Sequence, residues 1–563
     1  MISPKKAPKL PACIPDDGST SPKSPNLSRF GRLIIRPIKG SINLFVNTST
    51  NDLKEAPITN ATPSSTTFPR LMKSLNSFIN VPPIVFINNR IHVIYKPMRK
   101  YLLTLLTLLT LISCTSAEPI ADDVPVESSE PVTEESSTTS TSTTTTIAVE
   151  EPFALDEFGL ELVEPPIEMQ DQIKELMKFV EKWVGLEFTS DPEYHFYSLS
   201  DYQEYNALSY LDDFEEDYEE GEWERAVLSQ NMWGLNNLSP DELLNLQVEF
   251  QRCFSAGSYN LLDKILRVPI KKNQKKLNLY EQSVVVHELV HSLQGQHFAT
   301  DKWYEEMDEL DDFTYYPGVV ALMEAQADYV EGKWTGSFDE YDRQTFNSQI
   351  PNITCRVSLP SYFYIPAELY YNIGPVLAKE IIKNGKMEAL NAALYRYVND
   401  GLNTLPTSEQ IYEPEKFFTD ERYEEIPIDS IEVDGYALVD EGILGSLDLV
   451  YLMQDKIGQK NAINAAVGIG GGAWKDYEDN SGNLLMTIKI TGDDKNELQE
   501  INDAFLLWAD SQSRFSNSEP FAGGTLYVGN TNFWISKDTS SIRLVLSQDF
   551  ELLNSISNQL SDF

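Results

Sequence analysis

The sequence predicts an α+β fold, and three observations carry the prediction. Apolar residues recur at helical spacing over Met169–Val184 (Ile173, Met177, Val180, Trp183) and again through Val320, Met323, Ala327 and Val330. Gly257-Ser-Tyr259-Asn and Lys264–Pro269 read as two short strands just ahead of the apolar run that opens at Ser283. The C-terminal stretch alternates helix (Glu497–Ala509), strand (Thr525–Ile535), strand (Ser541–Leu546) and helix (Phe550–Leu560). At 563 residues the chain is long enough for a large core and more than one domain. The expected organisation is a main domain over 151–465 with a small α+β unit, 466–563, packed on it.

Charge separates the first segment from the rest. The formal net charge is −42, which excludes nucleic acid as a partner because phosphate would be repelled. Residues 1–97 hold 13 Lys/Arg and 4 Asp/Glu, leaving 31 Lys/Arg and 82 Asp/Glu, or −51, for the remainder. This segment is rich in Pro, Ser, Asn and Lys and shows no sustained period. It reads as a spurious or disordered leader.

Met98-Arg99-Lys100 then opens Tyr101–Ile112, a basic segment followed by an apolar run ending in Leu111-Ile112-Ser113-Cys114. This is the layout of a secretory signal, and its last four residues resemble the lipobox of bacterial lipoproteins. The run is too short for the ~20 apolar residues of a spanning helix. Translation from Met98 would put the signal, 98–114, at the start of the chain. Cys114 would then become a lipidated N-terminus on the outer face of the bacterial cell membrane. Residues 115–150 are Ser/Thr/Glu-rich without apolar periodicity, a disordered tether.

From Pro152 the composition turns globular. Asp212–Glu224 is a dense acidic run, read as a solvated face. Ser239-Pro-Asp-Glu242 carries the signature of a capped helix start ahead of Leu243–Phe250. The two short strands follow, placed where an edge strand can receive an extended peptide by β-augmentation.

Ser283-Val-Val-Val-His287-Glu288-Leu-Val-His291 comes next. Residues i and i+4 share a helix face, so His287 and His291 can aim imidazole nitrogens at one tetrahedral metal ion. Glu288 falls on a neighbouring flank, where it reaches a water beside the metal rather than the metal itself. Chance alone produces many H-E-x-x-H strings. Here, however, three of the chain's five histidines (His287, His291 and His297) fall in this stretch, and buried histidines without partners are costly.

A catalytic zinc site takes three protein ligands. His297 has the spacing of a metzincin third histidine, but the glycine that breaks such a helix is displaced: Gln294 stands in its place, and Gly295 comes one residue late. Glu324, in Met323-Glu324-Ala-Gln-Ala-Asp328, is the stronger choice. Glu324 and Asp328 lie one turn apart, the gluzincin arrangement in which Glu ligates zinc and Asp orients a ligand histidine.

Over residues 235 to 563 the chain resembles a family of exported bacterial proteins that look like gluzincin-type zinc metallopeptidases. The resemblance rests on Gly257-Ser-Tyr-Asn, Val286–Phe298, Ala321–Asp328, Pro406–Phe417 and Gly468–Trp474. Ala325 and Gly472 depart from the usual Glu-Gly-x-Ala and Gly-Gly-Asp patterns. The resemblance implies a zincin-like catalytic domain and hydrolysis of peptide bonds outside the cell. Zn²⁺ would lie on His287, His291 and Glu324, with Asp328 behind them and Glu288 moving the proton. A peptide or protein would be the substrate. The reading from another class is a non-catalytic metal-containing lipoprotein that binds a partner at the cell envelope.

Two later features complete the reading. Ala367–Ile382 is a core helix with a bend at Gly374-Pro375, and its Tyr370 and Tyr371 are read as core aromatics, though either could donate to an oxyanion. Gly468-Ile-Gly-Gly-Gly lacks the residues of a phosphate loop and reads as a tight turn. Cys253 and Cys355 are the two cysteines of the folded region, and an exported chain could join them.

Overall fold

The computed structural model describes residues 41–43 and 154–561, apart from 220, 255, 311, 352–354 and 430. The signal segment, the tether and Cys114 lie outside the described residues. Of residues 1–97 only Ser41–Asn43 is described. The fold is α+β, as expected.

The N-terminal half runs β1 (Ser41–Asn43), α1 (Ile167–Val184), β2 (Glu193–Tyr197), α2 (Leu199–Asp217), α3 (Glu222–Trp233), α4 (Pro240–Gln251), β3 (Ser258–Asn260) and β4 (Ile265–Pro269). Next come α5 (Leu279–His297), α6 (Thr300–Leu310), α7 (Tyr316–Thr335) and α8 (Glu340–Gln349). The predicted helix start at Ser239 is present: the Ser239 and Glu242 side chains cap each other's backbone at the head of α4. The two predicted strands are present too, as the antiparallel pair β3–β4. They sit in a four-stranded sheet of order β1-β3-β4-β2, with β2 parallel to β4 and Ser41–Asn43 antiparallel along the outer edge of β3.

The acidic run is only partly solvated. Asp213, Asp217 and Glu222 turn inward and are buried, because α2 and α3 pack both their faces into the domain.

The predicted helix over 367–382 is more broken than its apolar spacing suggests. It comprises α9 (Ile365–Ala367), a π-helical turn over Glu368–Ile373, and α10 (Gly374–Leu394). A Cβ on Gly374 would lie 2.7 Å from the Ala321 carbonyl, so glycine lets this turn press against α7. Short helices α11 (Arg396–Asp400), α12 (Ser408–Tyr412) and α13 (Pro414–Thr419) follow.

The C-terminal elements form a second sheet, whose first strand lies ahead of residue 466. They open with β5 (Tyr436–Ile443), α14 (Ser446–Ile457), α15 (Gln459–Ala466), β6 (Ile469–Asp479), β7 (Leu484–Gly492) and α16 (Lys495–Asp510). After these come β8 (Phe515–Phe521), β9 (Gly524–Gly529), β10 (Asn532–Lys537), β11 (Ile542–Ser547) and α17 (Phe550–Ser561). The strands form one antiparallel sheet of order β5-β6-β7-β11-β10-β9-β8. The glycine stretch is therefore strand β6, not a turn. Cβ atoms on Gly471 and Gly472 would lie 2.3 Å from Glu424 O and 2.8 Å from Leu444 O, so glycine admits flanking backbone against the strand. The expected strand over 525–535 is two, β9 and β10, joined as a hairpin.

Helix α17 covers one sheet face through Leu553, Ile556 and Leu560. The other face joins a core that is continuous back to Met169 in α1. Trp233 of α3 meets Trp508 of α16 with ring centroids 5.3 Å apart, and Arg514 donates to the carbonyls of Asn231 and Met232 at the end of α3. The second sheet thus shares one core with the N-terminal helices.

Candidate metal centre

Helix α5 is set by its ends and its burial. Asn278 and Glu281 form a reciprocal cap at its start, and the side chains from Ser283 to Gly295 are buried on every face. A helix apolar nearly all round belongs inside a protein. That makes the polar exceptions, His287, Glu288 and His291, expensive unless something compensates them. All three are 0% exposed, as is Glu324 on α7.

The two helices bring these residues to one point. His287 Nε2 lies 3.0 Å from His291 Nε2 and 3.3 Å from Glu324 Oε2, and His291 Nε2 lies 3.5 Å from the same oxygen. A tetrahedral ion with bonds of about 2.0–2.1 Å would separate its ligands by roughly 3.3–3.4 Å. The triangle matches that size. His287, His291 and Glu324 are one of two His/carboxylate groups among the described residues close enough to hold a metal ion.

The second group shares His287. Its Nδ1 faces Glu331 Oε2 at 3.3 Å and Asp328 Oδ1 at 3.6 Å. The structure thus differs from the sequence expectation at this point. Asp328 lies behind His287, but beyond hydrogen-bond length and partly exposed, whereas buried Glu331 is the nearer acceptor. The pattern Glu324, Asp328, Glu331 runs i, i+4, i+7 along α7. That spacing was a readable signal for Glu331.

His291 turns its Nδ1 the other way, to Gln294 Oε1 at 2.8 Å. The sequence reading used Gln294 only as the absence of a glycine, and its place one turn after His291 was the missed cue. His297 does not join the site. Helix α5 runs unbroken through Gly295, and His297 Nε2 meets the Glu187 carbonyl at 2.8 Å.

The site is rich in buried carboxylates. Four carboxylates, those of Glu288, Glu324, Asp328 and Glu331, crowd two imidazoles, and Lys379 is close enough to favour the ionised form of Asp328. Neither oxygen of Glu288 and not Oε1 of Glu324 has a hydrogen-bond partner. The Tyr259 backbone amide of β3 faces Glu288 and favours its ionised form. Burial pushes Glu288 well above the usual carboxylate range, more than His287 offsets. Burial also drives Asp328 up, to about 8, and raises Glu331. Glu324 goes the other way: burial opposes ionisation, but His291 and His287 hold it below its ordinary value. Two histidine nitrogens, a carboxylate and orphaned buried oxygens form a group that could hold a metal ion.

The π-helical turn delivers one more group. Tyr371 sits at the edge of the site, its buried hydroxyl without a hydrogen-bond partner. Burial and the charges of Glu324, Asp328 and Glu288 push that hydroxyl well up, so it stays a donor. π-turns recur at functional sites because the extra residue re-aims the side chains that follow. Tyr370, by contrast, is buried in the main core, as read from the sequence.

Cys253 and Cys355 form a disulfide. Compared with known proteins, the chain matches no family model, no curated protein and no solved structure.

Proposed function

We propose that this protein is a zinc-dependent, gluzincin-like metallopeptidase with a zincin-like catalytic domain, hydrolysing peptide bonds outside the cell. One observation carries the reading. His287, His291 and Glu324 converge in a triangle of metal-site dimensions, with the unpartnered Glu288 carboxylate in the same buried space.

His287, His291 and Glu324 would hold Zn²⁺, which lowers the pKa of a bound water and polarises a carbonyl. Glu288 takes the proton of the attacking water and returns it to the leaving amine. Tyr371 donates its hydroxyl hydrogen to the oxyanion that develops on the scissile carbonyl. Strand β3 runs past Glu288 and supplies the edge for an extended peptide. Ser41–Asn43, a main chain paired antiparallel along that edge, is what such a peptide would resemble.

Export fits the disulfide, since such bonds persist in oxidising compartments. Lipid anchoring at Cys114 would tether the domain to the membrane. Among the described residues no helix is long and apolar enough to cross one.

The full burial of the four site residues favours a second reading, a non-catalytic lipoprotein that keeps the metal as a structural centre. Zinc analysis and casein hydrolysis, with Glu288→Ala as control, separate the two. Cleavage that depends on Glu288 supports the peptidase. Zinc retained without such cleavage supports the structural centre, and absence of zinc removes both.

A further inference from the structure

We infer that Gln294, held by a relay of side-chain amides, is a positioning residue that fixes His291 as its Nδ1–H tautomer and commits its Nε2 to the metal. The inference rests on the metal site proposed above.

The relay can be followed from its far end. Asn391 of α10 donates its Nδ2 to the Val184 carbonyl at the end of α1, 2.8 Å away. Its Oδ1 accepts from Gln326 Nε2 at 2.7 Å. Gln326 Oε1 in turn accepts from Gln294 Nε2 at 3.0 Å, and the same Nε2 also donates to the Met323 carbonyl at 2.9 Å. Gln294 Oε1 is left facing His291 Nδ1 at 2.8 Å. Gln294 and Gln326 are both fully buried.

The direction of every bond follows from its ends. Backbone carbonyls only accept, so Val184 and Met323 must each receive an N–H. Turning any one amide over would set oxygen against oxygen, or two N–H groups against each other, in a dry interior where each mismatch is costly. Gln294 therefore presents an oxygen to His291, and His291 must answer with Nδ1–H. Its lone pair then lies on Nε2, the atom that meets His287 and Glu324. The two histidines are thus held differently. His287 leans on carboxylates, whereas His291 leans on a neutral amide whose orientation is set in α7, α10 and α1.

The test is zinc affinity by chelator competition in the wild-type chain and in Gln294→Leu and Gln294→Glu. Circular dichroism of the metal-free proteins and histidine ¹⁵N spectra of the zinc-loaded ones complete it. Leucine removes the acceptor; glutamate keeps an acceptor oxygen for Nδ1–H while losing both donated bonds. Gln294→Leu should lose about 10- to 100-fold in affinity, with the His291 Nδ1–H signal gone, and Gln294→Glu should stay within roughly 3-fold of wild type. A role in packing alone reverses that order, because glutamate buries a charge and breaks two bonds. Affinity within roughly 3-fold in Gln294→Leu, or the reversed order, overturns the inference while leaving the metal site standing. A wild-type chain that binds no zinc overturns both. Should Gln294→Leu fail to fold, Gln326→Leu, one link back, should still weaken zinc roughly 3- to 10-fold, and unchanged affinity there counts against the relay.

Discussion

His287 and His291 face each other through Nε2 atoms 3.0 Å apart while their Nδ1 atoms point to unlike acceptors, the Glu331 carboxylate and the Gln294 amide. Two imidazole lone pairs at that distance repel unless a proton or a metal ion lies between them. Removing zinc should therefore be felt by the whole fold. A ligand present at a hundred times its Kd contributes about 2.7 kcal/mol. At roughly 2–4 °C per kcal/mol for a large domain, chelation should lower Tm by on the order of 5–10 °C. Restored zinc should return it. Calorimetry showing one Tm with and without chelator would remove the metal site.

Glu331, not Asp328, should be the carboxylate that matters most to His287. A hydrogen-bonded partner behind a ligand histidine is typically worth 10- to 100-fold in metal affinity. Glu331→Gln should lose about that much, whereas Asp328→Asn, removing a group 3.6 Å away and partly exposed, should lose only a few-fold. Chelator competition on the two variants decides it. The opposite order would return the role to Asp328.

How much of this was legible follows from which interactions are local. His287, Glu288 and His291 share a helix, and Glu324 lies on a second helix whose period is plain, so the triangle could be anticipated from spacing. Tyr371 could not, since its aim depends on a π-turn and on Gly374 meeting Ala321, a contact between segments far apart in sequence. Strand β6 was misread for a similar reason. Glycines usually mark turns, but here they admit the backbones of Glu424 and Leu444 against a strand, which only the assembled sheet reveals. Strands β5 and β8 went unseen because exposed edge strands lack an apolar alternation.

Gly374→Ala tests the link between packing and site. The added Cβ would lie 2.7 Å from the Ala321 carbonyl, too close for either backbone to ignore. Overpacking of this kind costs about 1–3 kcal/mol. Urea unfolding should register that loss, and peptidase activity should fall further than stability does as Tyr371 is pushed off line. Unchanged activity in a stably folded variant would separate Tyr371 from the reaction.

Asp476 in β6 gives a pH dependence away from the metal. It is buried with Oδ1 unpartnered, and burial, only partly offset by Arg225, drives its pKa well above the ordinary value. A carboxyl whose folded pKa is raised favours the folded state fully below its unfolded pKa, about 3.9. That contribution is lost as pH rises towards the folded pKa. Asp476→Asn should therefore flatten the decline in Tm between pH 5 and 8 and stand above wild type at the alkaline end. An unchanged slope would mean that the group is solvated.

The Cys253–Cys355 disulfide encloses the proposed metal ligands, though not Tyr371, within its sequence loop. The bond spans 102 residues, between which lie His287, Glu288, His291, Glu324, Asp328 and Glu331. Closing a loop of roughly 100 residues removes on the order of 4–5 kcal/mol of unfolded-state freedom, and measured losses on removing native disulfides run about 2–5 kcal/mol. Because the loop carries α5 and α7, local opening of the helices that hold the proposed metal ligands should also become easier. Cys253→Ser with Cys355→Ser should lower unfolding free energy by about 2–5 kcal/mol. Zinc should also leave the variant faster under a chelator. If zinc release is unchanged while global stability falls, the bridge acts on the fold alone and not on the site it encloses.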